Sequence, residues 1–118
     1  MALAVVASGT ITTDGTEQTL ATSTTGKTYV LVVSLGAAST SGGASDDHTL
    51  GDTIELRLYT KVLSGSAEYI AYEATFGHSQ AEKIKYSVPV PANISIKATI
   101  KKAGGSNRKY DWSLLSID

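Results

Sequence analysis

Asp52-Thr53-Ile54-Glu55-Leu56-Arg57-Leu58-Tyr59-Thr60-Lys61-Val62-Leu63 alternates apolar and polar side chains through most of its length. Successive side chains of an extended chain point to opposite faces. Ile54, Leu56, Leu58 and Val62 therefore share one face, with Glu55, Arg57, Tyr59 and Lys61 on the other. One face packs, and the other meets water or a partner. Ile94 to Lys101 repeats the pattern, setting Ile94, Ile96, Ala98 and Ile100 against Ser95, Lys97, Thr99 and Lys101. No useful window carries helical periodicity. Threonine and serine supply 29 of the 118 residues, and the β-branch of threonine suits a half-buried pleated surface. The chain reads as all-β.

Working outward, the sequence predicts eight strands, over residues 3–13, 17–23, 27–36, 53–63, 67–76, 82–89, 93–102 and 109–117. Asp14-Gly15, Thr25-Gly26, Ser64-Gly65-Ser66 and Gly104-Gly105 separate them and supply positive φ for tight turns. Pro89 and Pro91 bracket Val90; proline donates no hydrogen bond to a central ladder, so this stretch belongs at an edge or a corner. In the last strand Tyr110, Trp112 and Leu114 share one face while Leu115 and Ile117 share the other. A β-bulge near Leu114 accounts for that slip; the alternative is a strand end that packs on both sides. Short strands with frequent turns indicate a single-domain antiparallel β-sandwich spanning residues 1–118, with jelly-roll or Greek-key connections. Two segments depart from the pattern: the uncharged N-terminal arm 1–6 and the small-residue loop insertion 37–51.

A chain of 118 residues carries one core without staples. It has no cysteine, hence no disulfide framework and no cysteine-ligated zinc. A net charge of −1 supplies no global attraction to nucleic acid or anionic lipid. No apolar run reaches the ~20 residues of a spanning helix. Met1 to Ser8 is apolar but lacks the basic start of a signal peptide. Neither a membrane nor a nucleic-acid partner is expected.

Candidate chemistry is sparse. Asp46, Asp47, His48 and Asp52 form the densest group of metal-ligand types, but without calcium-loop spacing, and they read as turn-capping loop residues. Ser79 beside His78, with Glu82 near, lacks a nucleophile elbow, so His78 is expected to make a structural or interface hydrogen bond. Glu55, Glu68, Glu73 and Glu82 include no evident acid–base pair; Glu55 lies among Arg57 and Lys61, as cross-strand ion pairs do. Tyr59, Tyr69, Tyr72, Tyr86, Tyr110 and Trp112 offer stacking surface for a sugar or base, although most sit among apolar neighbours. Lys97, Lys101, Lys102, Arg108 and Lys109 make a basic end suited to an acidic partner surface. No enzymatic activity, cofactor or metal is expected.

Gly51-Asp52-Thr53-Ile54-Glu55-Leu56-Arg57, Thr60-Lys61-Val62-Leu63-Ser64-Gly65 and His78-Ser79-Gln80-Ala81-Glu82 carry a resemblance. So do Ser87-Val88-Pro89-Val90-Pro91 and Arg108-Lys109-Tyr110-Asp111-Trp112-Ser113-Leu114, with Ala7-Ser8-Gly9-Thr10, Thr16-Glu17 and Thr28-Tyr29-Val30-Leu31-Val32-Val33 at the N-terminal side. These stretches resemble a family of small virion proteins of tailed bacteriophages; the 37–51 loop departs from it. The resemblance implies a β-sandwich decoration or cement protein, made in the host cytoplasm and seated on the capsid surface. The major capsid protein and two further copies, in a homotrimer, are the implied partners. The alternative is a tail, neck or baseplate component, or a module that binds host glycan. Ala2, Leu3 and Val5 of the arm, Asp46, Asp47 and His48 of the loop, and His78, Arg108 and Lys109 are the expected interface residues, the arm adding a strand to a neighbour's sheet edge.

Overall fold

The computed structural model describes residues 3–36, 48, 51–78 and 80–117. Nine strands follow in order: β1 (Leu3–Thr12), β2 (Glu17–Ser23), β3 (Lys27–Ser34), β4 (Thr53–Thr60), β5 (Tyr69–Gly77), β6 (Ile84–Tyr86), β7 (Val90–Ala92), β8 (Ile96–Gly104) and β9 (Lys109–Ile117). The first sheet runs β1-β9-β3-β6, with β7 also on β3; the second runs β2-β8-β4-β5. All of these pairings are antiparallel. With β6 and β7 counted as one interrupted strand, this is jelly-roll connectivity.

The expected strand 82–89 stops at Tyr86, short of Pro89, and pairing along β3 resumes beyond its expected end, in β7 at Val90–Ala92. Between β6 and β7 the Ser87 hydroxyl accepts from the Leu31 backbone N–H at 2.9 Å, and the Ser87 N–H donates to the Leu31 carbonyl at 2.8 Å. A side chain thus bridges the break, and β7 pairs Pro91 with Thr28 at an edge, where proline is tolerated.

Between the sheets lies one core: Tyr29, Leu31 and Val33 of β3, Ile54, Leu56 and Leu58 of β4, Ile96, Ala98 and Ile100 of β8, and Tyr110 and Leu114 of β9. Each fully buried aliphatic side chain contributes about 1.5–3 kcal/mol. The shortest dimension, 21 Å, fits two sheets stacked ~10 Å apart with side chains on both outer faces.

Three expectations are corrected. Val62 is 81% exposed rather than packed with Leu58; β4 ends at Thr60, whose hydroxyl donates to the Ser95 carbonyl at 2.7 Å, and the chain turns away. The bulge expected near Leu114 lies across the ladder, in β1. Val5 faces Leu115 and Ala7 faces Leu114, which leaves Val6 extra, while β9 runs regularly against β3. Leu115 and Ile117 point outward because the outer face is itself apolar. Finally, positive φ occurs at Gly15 (90°) and Gly105 (84°) as expected but not at Gly26 or Gly65. A Cβ at Gly26 would lie 3.0 Å from the Asn93 carbonyl oxygen, so close approach restricts that site instead.

Candidate functional site

Strand parity gives the two sheets unlike outer faces. Opposite residues of an antiparallel pair point the same way. Across the first sheet, Leu3 meets Ile117 and Thr28, Val5 meets Leu115 and Val30, and Val32 meets Tyr86. Ile84 follows beside Ser34. These side chains form a largely uncharged apolar surface, with Leu3, Val5 and Tyr86 each more than 60% exposed. A shallow depression of about 180 Å³ lies on it, lined by Val32, Ser34, Ile84, Asp111, Trp112 and Ser113. A contiguous exposed apolar face is the kind of surface on which partners dock.

The outer face of the second sheet is a charge network. Arg57 on β4 contacts Glu73 at 2.6 Å, Glu55 at 3.2 Å and Glu17 at 3.3 Å. The other Glu17 carboxylate oxygen accepts from the Tyr59 hydroxyl at 2.5 Å and the Thr99 hydroxyl at 2.7 Å. Burial pushes the Glu17 carboxyl up, but these hydroxyls and the Arg57 charge outweigh it and hold the group below its ordinary value. Glu73 leads the carboxylates that raise the Arg57 guanidinium. Lys97 lies over the Tyr59 ring at 4.5 Å and pairs with Glu68 at 3.4 Å. These charges are paired within the chain.

The loops at one end gather residues far apart in sequence. Asp52 is buried and accepts from Arg108 Nε at 3.0 Å and from the Ser106 N–H at 3.1 Å. Its carbonyl takes the His78 N–H at 2.9 Å, and His78 Nδ1 accepts from the Gly51 N–H at 3.3 Å. His78 holds φ 62°, a left-handed conformation rare for a side-chain-bearing residue. His48 is buried, with Nδ1 and the Tyr110 hydroxyl 2.8 Å apart and Nε2 without a partner among the described residues. Burial lowers the imidazole's pKa and raises the phenol's. The arrangement fastens loops: Asp52 clamps the 104–108 turn, and His48 is held against the buried Tyr110 hydroxyl.

His48, His78 and Arg108 are thus brought together at this loop end, with His48 buried, Arg108 half-buried and His78 exposed. Leu3 and Val5 lie at the opposite end of the first sheet. They pair with β9 in an edge strand, which is how the chain uses the arm 1–6 over its described residues. Lys109 on β9 faces Thr12 on β1. The basic end does not form one patch, since Lys97 and Arg108 are engaged on different surfaces. Ala2, Asp46, Asp47 and Ser79 lie outside the described residues, as does most of the 37–51 loop. Nor do the aromatics make a platform: Tyr110 is in the core, Tyr72 and Trp112 pack against it, and exposed Tyr69 and Tyr86 belong to different sheets. Among the described residues no group of three or more His, Asp or Glu could hold a metal ion. Sequence reasoning missed the apolar outer face. Its signal was the unbroken run Tyr29-Val30-Leu31-Val32-Val33, which marks a strand apolar on both sides. No family model, no curated protein and no solved structure matches this chain.

Proposed function

We propose that this chain is a structural protein of a tailed-bacteriophage particle, a decoration or cement protein that lays the outer face of its first sheet on the capsid. The sidedness of the sandwich carries this reading. A coat protein needs one face that leaves water on docking and one that stays hydrated. Here the Val5–Leu115–Val30 side is apolar, and the Arg57 side has its charges satisfied within the chain. The major capsid protein is the partner, and the work is mechanical: a rigid sandwich tied across capsid subunits resists their separation.

The test is co-sedimentation with heads that lack the protein. Val32→Glu and Leu115→Glu place a charge in the docking face and should each abolish binding, while Thr75→Lys on the opposite sheet should leave it intact. If the two glutamate variants fold and decorate heads as the unaltered chain does, the proposal fails.

A further inference from the structure

We infer that the open edge of β1 pairs with the same edge of a second copy of this chain, antiparallel, about a two-fold axis. Among the described residues no strand lies beyond β1. Exposed strand edges are ordinarily guarded by charge, proline, brevity or a bulge. The other edge strands are guarded: β2 carries Glu17, β5 carries Glu73, three-residue β6 carries Lys85, and β7 carries Pro91. Ten-residue β1, Leu-Ala-Val-Val-Ala-Ser-Gly-Thr-Ile-Thr, has neither charge nor proline. Its bulge at Val6 leaves the run Ala7–Thr12 regular against β9.

The occupant follows from the same comparison. An unguarded strand pairs best with another, and β1 is the only edge strand described that lacks charge and proline, so the contact is isologous and closes as a dimer. This differs from the trimer implied by the family resemblance. It is also independent of capsid docking, because it concerns the free protein. The two first sheets would then continue across the axis and double the apolar outer face.

Light scattering after size exclusion, over a range of concentrations, reads the assembly state directly. The unaltered chain should be dimeric, and Ser8→Lys, which installs the missing edge charge, should be monomeric with an unchanged circular dichroism spectrum. A monomer at every concentration, a trimer, or a dimer that persists in Ser8→Lys each overturns the inference. Because the chain has no cysteine, single cysteines placed through residues 7–11 give a second reading that tolerates a poorly folding variant. A two-fold antiparallel pair sets one residue opposite itself, so one position should cross-link under mild oxidation far better than its neighbours. Equal or absent cross-linking throughout the scan rejects the pairing.

Discussion

Asp52 ties two separate loops to the start of β4. It reaches the 104–108 turn through Ser106 and Arg108, and its backbone holds His78. Asp52→Ala leaves the Arg108 guanidinium without that partner in a site where both groups are largely withdrawn from water. Removing one member of a buried pair is strongly destabilising, and with Arg108 partly hydrated the expected loss is about 3 kcal/mol, read by urea unfolding. His48 predicts a pH dependence. Its pKa in the folded chain lies below the ordinary 6.5, first because of burial. The unfolded chain therefore takes up a proton more readily, and the stabilising contribution is complete above pH 6.5 and lost as pH falls through the folded value. Melting temperature should decline with acid in that window, and His48→Phe should flatten the decline relative to the unaltered chain. A decline of equal slope in His48→Phe would assign it to other groups.

At the scale of the strand, two residues with the same place in the sequence alternation have opposite fates. Leu58 is fully buried in the middle of β4, and Val62 lies beyond its end. Leu58→Ala should cost about 2–5 kcal/mol by transfer and cavity terms. Val62→Ala should fall within ~0.5 kcal/mol of the unaltered chain. Comparable losses at both sites would extend β4 past Thr60. The arm makes the complementary case. Because Leu3, Ala4 and Val5 are paired with Ile117, Ser116 and Leu115, deleting residues 1–6 removes ladder hydrogen bonds each worth about 1 kcal/mol. A lowered melting temperature is expected, by roughly 1–3 kcal/mol of stability on that count. An unaltered melting temperature would mean that these residues contribute nothing to the fold. Locally, the ladder was legible: the turn residues and period-2 runs placed every strand except β7 within a few positions of where it lies. The interruption at Ser87 was not, because it depends on a hydroxyl meeting Leu31, a partner on a distant strand.

For the whole molecule, the contrast between faces makes a statement about salt. Exposed charges are screened over about 8 Å at physiological ionic strength, whereas apolar burial is not weakened by such screening. Docking through the first sheet should therefore survive increasing salt, measured as the amount of protein that co-sediments with heads. Binding that disappears as salt rises would move the contact to the charged sheet around Arg57 or to the loop end. The loop end itself is legible in the sequence only as isolated residues. His48, His78 and Arg108 stand out singly, but their convergence on Asp52 and Tyr110 comes from three loops that the sandwich carries to one end.

Side-chain alternation, β-branched composition and turn residues determined by themselves that this protein is an antiparallel β-sandwich, because each of those signals acts between neighbours along the chain. Tertiary structure alone decided which strands pair, that Leu115 and Ile117 point away from the core, and that among the described residues no strand lies beyond β1. Those outcomes rest on contacts such as Leu3 with Ile117 and Thr28 with Ile117. A period of two says which side chains share a face, but not whether another strand or water lies on the other side.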